Sequence, residues 1–328
     1  MSGGQVAYHL RPNKAIERHV FIELLTRFHG FCPIHEYTYI GFGGPFLEDF
    51  RMVESHFGVA RMISLEGDAA VIDRQMFNRP FTSIECRRQL SGDFIATYPR
   101  EIDGNAIVWL DYAEANARSA QIGEFKSLLT KVREYDVVKI TMNASPATFP
   151  VPGTPQAGEL NQLRFEAAER QLGDLWHPTV SAEDMTRKKF PGVILGCLLR
   201  AAKQAFPPGL NLQYVPTTSF VYADSEHQML TLTGVIAPRA EVARLRTALR
   251  LKSWELAYRE GGAPIVITTP VLSTRERVFL EQLLPKYRRT LARRGKFLVA
   301  GTSRESSELI ESFARFHRYY PHFGRILP

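Results

Sequence analysis

The chain alternates short apolar runs with segments whose apolar residues recur at helical spacing. The first helical segment covers residues 8–30, where Ile16, Val20, Leu24 and Phe28 recur every four residues, as on one face of a helix. Apolar, β-branched and aromatic runs then predict strands at 37–40, 60–65, 82–86, 106–110 and 136–142, with helices at 46–57, 68–77 and 125–135. Strands that alternate with helices pair in parallel through right-handed crossovers, so the pattern predicts an open α/β sheet.

The second half of the chain has a different pattern. Residues 145–158 hold four prolines and two glycines, which is typical of a loop. A strongly apolar helix is predicted at 190–206, and two strands at 212–222 and 229–236 flank a short polar turn, as in an antiparallel hairpin. Beyond 240 the composition becomes arginine-rich and helical, with one strand-like run at 264–268 and a well-capped helix from 273. We therefore predict an N-terminal helical segment (1–34), a sheet domain (35–238) and a smaller C-terminal α-rich extension (239–328).

The composition is that of an ordinary soluble globular protein, with 45% apolar and 23% charged residues among 328. Cys32, Cys86 and Cys197 are far apart and form no Cys-x-x-Cys or Cys/His cluster. This argues against a zinc site or a disulfide framework and favours a reducing cytoplasm. The N-terminus lacks a signal-like apolar core, and no run approaches the roughly 18 apolar residues of a membrane helix.

A glycine-rich turn follows the first predicted strand, at Gly41-Phe42-Gly43-Gly44. Glycines there let the backbone approach a ligand closely, and the next helix supplies free N–H groups. Glu66 ends the second strand at about the expected spacing of ~20 residues, where a carboxylate can accept hydrogen bonds from ribose hydroxyls. Two simpler interpretations stay open: the glycines form only a tight strand–helix turn, and Glu66 caps the following helix.

In these motifs the chain resembles the class I S-adenosylmethionine (SAM)-dependent methyltransferases, over residues 35 to about 236. The resemblance implies a Rossmann-like methyltransferase sheet, mostly parallel with an antiparallel last hairpin, and SAM as the cofactor. It also implies an acid on the adenine side of the cofactor, at Asp93 followed by Phe94, although Asp93 is equally suited to a helix cap. The acid after the fourth strand is Asp111, followed by Tyr112. The implied cofactor-binding residues are Gly41, Phe42, Gly43, Gly44, Glu66, Asp93, Phe94 and Asp111.

Methyl transfer asks the protein mainly to align the acceptor with an already activated methyl group, and to supply a base where the acceptor is a hydroxyl. Asp111 and Tyr112 stand where such catalytic groups act, and Asn143 after the fifth strand is placed to line the same pocket. No Asn-Pro-Pro-Tyr-like motif of amino-group methylation follows the fourth strand, so transfer to oxygen is favoured. The acceptor is not identified by these motifs.

Two rival functions come from departures in the glycine motif. Tyr39 stands where the methyltransferases often have an acid, and Pro45 replaces their third glycine, which favours a catalytically silent module that binds a nucleotide-like ligand or a protein partner. An NAD-dependent oxidoreductase is disfavoured, because Phe46 occupies the third-glycine position of Gly-x-Gly-x-x-Gly.

The net charge of +7 permits contact with a polyanion. A cationic segment at 286–296 is either a solvated helix or a nucleic-acid contact, the latter through Arg288, Arg289, Arg293 and Arg294. A second polar cluster lies near the N-terminus and is either a solvated face or a group that closes over the ligand or binds an anionic substrate. Its members are Arg11, Asn13, Lys14 and Arg18.

Overall fold

The computed structural model describes residues 11–153, 158–223 and 227–321. In these ranges the chain forms one eight-stranded sheet in the order β3-β2-β1-β4-β5-β7-β6-β8. The strands are Thr38–Gly41 (β1), Arg61–Glu66 (β2), Ile84–Arg88 (β3), Ala106–Asp111 (β4), Val137–Asn143 (β5), Leu212–Tyr222 (β6), Met229–Pro238 (β7) and Ile265–Ile267 (β8).

Parallel pairing joins β1 to β5, and β7 runs antiparallel between β5 and β6. This confirms the predicted Rossmann-like sheet with an antiparallel last hairpin. The last strand, β8, pairs in parallel with β6, so a strand from the segment beyond residue 238 extends the sheet.

Helices cover both faces of the sheet. In the described ranges they are Pro12–His29 (α1), Glu48–Phe57 (α2), Ala69–Asn78 (α3), Ser91–Thr97 (α4), Arg118–Leu129 (α5), Glu159–Leu172 (α6), Phe190–Ala205 (α7), Val242–Ala248 (α8), Thr274–Gln282 (α9), Leu291–Arg294 (α10) and Ser303–Phe316 (α11). One core lies between the sheet and α4, α5 and α7, and another lies between the opposite face and α1 and α2. A small separate core joins α9, α10 and α11, as expected for an α-rich extension.

The first helix buries the apolar stripe that its spacing predicts, since Ile16, Val20, Leu24 and Phe28 are all fully buried. Its predicted start lies at residue 8, outside the described residues, and the described helix begins at Pro12. Proline suits this position because its missing N–H would have no partner in the first turn.

The helix predicted at 125–135 is wrong in its limits, because α5 runs from Arg118 to Leu129. Its buried face includes Ile122 and Phe125, so the apolar spacing begins earlier than the compact run suggests. The chain then turns, and Tyr135 adopts a left-handed conformation (φ 68°) that no α-helix accommodates. Helices α4 and α6 were not predicted, because their apolar residues are few and widely spaced.

Across the described ranges, no helix combines the length and apolar composition that crossing a membrane requires. Nor do those ranges bring together three side chains of the types that hold a metal ion.

Candidate functional site

The candidate site lies at the carboxyl edge of the sheet, where β1 is flanked by β2 and β4. Gly41 at the end of β1 pairs with Ser64 on one side and Trp109 on the other. Glu66 and Asp111 each lie two residues further along their strands. The two carboxylates therefore flank the glycine turn from strands about 9–10 Å apart. The strand order reverses between β1 and β4, and open α/β sheets bind ligands at such a point.

The glycine turn is packed tightly against its own protein. The Gly43 N–H donates to Ser64 Oγ at 3.2 Å, and Ser64 Oγ donates to Gln75 Oε1 at 3.1 Å. A Cβ on Gly43 would lie 2.2 Å from Leu47 Cδ2 and 2.7 Å from Ser64 Oγ. The space that a side chain would need is thus filled by protein, so glycine is required at this position for packing alone.

The chain leaves this turn by an unusual route. Gly44 has a φ of 52° and Leu47 a φ of 53°, both left-handed, and a short 3-10 turn at Gly44–Phe46 separates them. As a result α2 begins only at Glu48. Pro45 is accommodated in the 3-10 turn, where its fixed φ is suitable, so the departure at Pro45 shapes the turn without breaking it.

Glu66 is half-buried at the end of β2. Its Oε1 accepts a hydrogen bond from the Asp68 N–H at 2.9 Å. Helix α3 is capped by Asp68, whose side chain accepts from the Ala70 N–H at 2.8 Å. The capping interpretation of Glu66 is therefore wrong, and its second oxygen makes no hydrogen bond within the described residues.

Asp111 is joined to the first helix. Its Oδ2 lies 3.2 Å from Lys14 Nζ, and each side chain is only 11% exposed. Burial alone would raise the pKa of Asp111, but the positive charges of Lys14, Arg18 and Lys139 outweigh burial and lower this pKa below its ordinary value. Asp111 is therefore a carboxylate at neutral pH.

Two further ion pairs extend this cluster beneath α1. Arg18 Nη2 lies 2.8 Å from Asp49 Oδ1, and Lys139 Nζ lies 2.8 Å from Glu17 Oε1; all four side chains are buried. Lys139 also lies 3.4 Å from the centroid of the Trp109 ring. Burial, opposed by Glu17, lowers the pKa of Lys139 to about 8.

The N-terminal polar cluster is thus not a solvated face. Asn13 Nδ2 donates to the Ala223 carbonyl at 2.9 Å, and Thr269 Oγ1 donates to Asn13 Oδ1 at 3.0 Å. These bonds and the Lys14–Asp111 pair hold the start of α1 against the carboxyl edge. Sequence reasoning found the cluster but not its partners, which are distant in the chain.

Tyr112 lies on the opposite face of the sheet from α1. Its hydroxyl donates a short hydrogen bond to Glu124 Oε2, and Ser91 Oγ donates to the same oxygen at 2.6 Å. Burial and the Glu124 bond raise the pKa of Tyr112 well above its ordinary value, so the phenol stays protonated. The Tyr112 ring contacts Phe42 of the glycine turn edge-on, with centroids 5.4 Å apart. Glu124 was not predicted, because nothing near α5 in the sequence marks it.

Three other predicted site residues have different surroundings. Asp93 lies in the first turn of α4 and is half-buried, without capping that helix. Phe94 is buried in the core against Tyr98, so its side chain does not line a surface site. The Asn143 side-chain oxygen accepts from Arg118 Nη2 at 3.0 Å and from the Ser145 N–H at 3.0 Å, which gives Asn143 a structural role at the end of β5.

The cationic segment at 286–296 divides into bound and exposed residues. Arg288 donates to the Ala314 carbonyl and pairs with Glu255. Arg289, Arg293 and Arg294 are exposed, and Arg294 Cζ lies 3.8 Å from the centroid of the Tyr287 ring. Instead of one predicted solvated helix, the segment holds a 3-10 turn and the four-residue α10.

The sequence matches a protein family described as "Putative O-methyltransferase" over residues 6–328. A comparison with curated proteins finds no match. Among solved structures, the O-methyltransferase from Bacillus cereus in complex with SAH is 12% identical, with a TM-score of 0.39 over 71% of this chain and 84% of that one. The Methanococcus jannaschii fibrillarin pre-rRNA processing protein is 9% identical, with a TM-score of 0.38 over 63% and 70%. The N-methyltransferase NodS from Bradyrhizobium japonicum is 10% identical, with a TM-score of 0.35 over 68% and 97%.

Proposed function

Because the chain belongs to the O-methyltransferase family that matches residues 6–328, we propose that it transfers a methyl group from SAM to an oxygen atom of its acceptor. The observation that carries this proposal is the flanking of the glycine turn by Glu66 and Asp111 at the point where the strand order reverses. Two carboxylates beside such a turn suit a ligand with hydroxyl groups and a positive charge.

The residues present fit SAM as the cofactor. The half-buried carboxylate of Glu66 has one oxygen without a partner among the described residues, and it would accept hydrogen bonds from the ribose hydroxyls. The backbone from Gly41 to Gly44 would border the cofactor, and Asp93 would lie on its adenine side. Bound SAM supplies an activated methyl group, so the protein mainly needs to hold the acceptor in line with it and exclude water.

Asp111 is the candidate catalytic residue toward the acceptor. It stays ionised at neutral pH because Lys14 and its neighbours lower its pKa, and a carboxylate can accept the proton of an acceptor hydroxyl. Tyr112 is a weaker candidate base, because its hydroxyl proton is donated to Glu124 and its pKa is raised. We assign Tyr112 to positioning, since it links Phe42 of the glycine turn to Glu124 and Ser91.

Methyl transfer can be tested with radiolabelled SAM and fractionated cell extract. Asp111→Asn is nearly isosteric but is a far weaker proton acceptor, so labelling should fall by about 10²–10⁴-fold, while the affinity for S-adenosylhomocysteine changes little. Asp103→Asn, in an exposed loop, is the matched control and should label like the wild type. Absence of labelling by the wild type in the protein, nucleic-acid and small-molecule fractions would instead favour the silent module.

Nucleic-acid contact is a second candidate activity for the cationic segment. It is favoured by the exposure of Arg289, Arg293 and Arg294 on adjoining turns and by the stacking of Arg294 on Tyr287. Arg288 is less suited to this role, because it is bound to Glu255 and the Ala314 carbonyl. A reducing cytoplasm stays a prediction, in keeping with three cysteines that are free thiols.

A further inference from the structure

A large cavity lies between α7 and the β6–β8 edge of the sheet. Its volume is about 1260 Å³, above the roughly 300–1,000 Å³ usual for small-molecule sites. Apolar side chains from both sides line it, among them Leu199 of α7 and Val221 of β6. Val266 of β8 also lines it and is 55% exposed, which is unusual for an apolar strand residue in a sheet covered elsewhere by helices.

The cavity exists because α7 carries glycine where it faces β8. Gly192 and Gly196 are one helical turn apart and both line the cavity. A Cβ at either position would meet no atom within 4 Å. The opposite wall is short, because β8 has only three residues. Neither wall is therefore closed by side chains.

The charged residues around the cavity are strongly unbalanced. Among its described lining residues, five are Lys or Arg and one is a carboxylate, Asp184. Asp184 lies 3.5 Å from Lys189 Nζ. A concave site lined mostly by one sign of charge attracts ligands of the opposite sign. The cationic residues are Arg187, Lys188, Lys189, Arg200 and Lys203.

One end of the cavity borders the carboxyl edge of the sheet. Gln228 lines the cavity, and its Nε2 donates to the Arg187 carbonyl at 2.9 Å. The Gln228 carbonyl accepts from the Ala144 N–H at 2.7 Å, directly after Asn143, the last residue of β5. The cationic segment before α7 is thus tied to the edge that carries Asp111 two strands' ends away, at β4.

We propose that this cavity binds the methyl acceptor, and that the acceptor has an apolar body and a carboxylate or phosphate group. This inference rests on the proposed function. The apolar walls would hold the body of the molecule, and the five cationic side chains would neutralise its anionic group. A small molecule is favoured over a protein partner because the surface is concave and deep, whereas protein interfaces are broad surfaces.

Binding is tested directly with dansylaminoundecanoate, a fluorescent anion with an apolar chain, using the full-length protein. The wild type should bind it saturably. Gly196→Phe should weaken binding at least tenfold, because the ring fills the cavity. Gly123→Phe places the same side chain at an exposed, open position of α5 and should bind like the wild type. Equal affinity in the Gly196→Phe and Gly123→Phe proteins would overturn the proposal.

Competition experiments test the class of ligand. Decanoate or decyl phosphate should displace the probe, and which of the two is stronger distinguishes a carboxylate from a phosphate ligand; uncharged decanol should displace it at least tenfold less well. Lys188→Glu/Arg200→Glu should weaken probe binding at least tenfold without changing the unfolding temperature by more than a few degrees. Displacement by decanol as strong as by both anions would overturn the anionic class, and displacement by oligoglutamate alone would point to an acidic polypeptide instead.

The acceptor role is tested separately from the cofactor site. Saturating decanoate or decyl phosphate should suppress labelling from radiolabelled SAM while leaving the affinity for S-adenosylhomocysteine unchanged. Undiminished labelling would show that the cavity is not the acceptor site. Failure of the wild type to bind S-adenosylhomocysteine would overturn the proposed function and the acceptor role together, while the probe titration still decides whether the cavity binds anionic amphiphiles.

Discussion

Lys14 in the first turn of α1 and Asp111 at the end of β4 form a nearly buried ion pair, with Nζ 3.2 Å from Oδ2. The two residues are 97 positions apart in the chain. The pair joins a helix that precedes the sheet to the edge where the cofactor is proposed to bind. The N-terminal helix is therefore a structural part of the site.

Replacing Lys14 by Met should destabilise the protein by about 1–3 kcal/mol, the usual cost of a buried charged group that loses its partner. Urea unfolding at pH 7 measures this loss. The exposed pair Arg304–Glu308 of α11 supplies the control, because Arg304→Met should cost less than about 0.5 kcal/mol. Equal losses in the two variants would contradict the importance of the Lys14–Asp111 pair.

The same substitution should change the response to acid. The folded-state pKa of Asp111 is lowered, so this group stabilises the protein above the unfolded-state pKa of about 3.9, and the stabilisation is lost as pH falls through the folded-state value. Lys14→Met removes the strongest opposing charge, raises the folded-state pKa and should shift acid unfolding to higher pH. An unshifted acid transition would show that Lys14 does not control this carboxylate.

The buried Glu17–Lys139 pair should show strong coupling between its members. Lys139→Met alone should cost about 3–5 kcal/mol, because the Glu17 carboxylate is left buried without a counter-charge. The double variant Glu17→Met/Lys139→Met should recover most of this loss. Urea unfolding of the wild type, both single variants and the double variant measures the coupling, and additive losses would contradict it.

This pair also has a pH signature. The folded-state pKa of Lys139 is about 8, below the unfolded value of about 10.4, so between these values the unfolded chain binds more protons. Stability contributed by this group should therefore rise with pH from about 8 to 10.4, and the rise should be missing from the double variant. The difference in unfolding free energy between the two proteins at pH 7.5 and 9.5 is the measurement.

Gly43→Ala should destabilise the fold by about 1–3 kcal/mol, the usual cost of overpacking. The added methyl would collide with Leu47 and Ser64. Gly123→Ala is the control, because its position in α5 is open and alanine favours a helix by about 0.5–1 kcal/mol. Thermal unfolding should show opposite shifts for the two variants. An unchanged melting temperature for Gly43→Ala would show that the turn relaxes easily.

The location of the glycine turn and of its flanking carboxylates could be predicted because both depend on local order along the chain. Each apolar strand ends in a polar residue, and parallel strands bring such ends to one edge, so Glu66 and Asp111 could be placed beside Gly41. The partners of these residues could not be predicted. Lys14 and Glu124 reach the site through packing of α1 and α5 on opposite faces of the sheet, and no local pattern encodes that packing.

The large cavity also lay beyond sequence reasoning. It depends on Gly192 and Gly196 facing a strand of only three residues, and the apolar spacing of α7 predicts a buried helix without showing that one face is open. The limits of α5 were missed for a related reason, because the left-handed Tyr135 that follows it is not a residue type that marks helix ends.

If the cationic segment binds nucleic acid, affinity should fall steeply with salt, because each phosphate contact releases counterions. Arg289→Glu/Arg293→Glu/Arg294→Glu should flatten the slope of log affinity against log salt by about three contacts. Arg288 is kept in this variant because it is bound to Glu255. Fluorescence anisotropy with a labelled oligonucleotide measures the slope, and an unaltered slope would assign these arginines to solvent.

Titration calorimetry with S-adenosylhomocysteine tests the cofactor site most directly. The wild type should bind, and Glu66→Gln should bind with an affinity weaker by about 1.5–3 kcal/mol, the value of hydrogen bonds to a charged group. Glu85→Gln, which changes an exposed carboxylate on the neighbouring β3 that is paired with Arg87, should bind like the wild type. Equal affinity of the Glu66→Gln and wild-type proteins, with both folded, would contradict the placement of the cofactor beside Glu66 and the glycine turn.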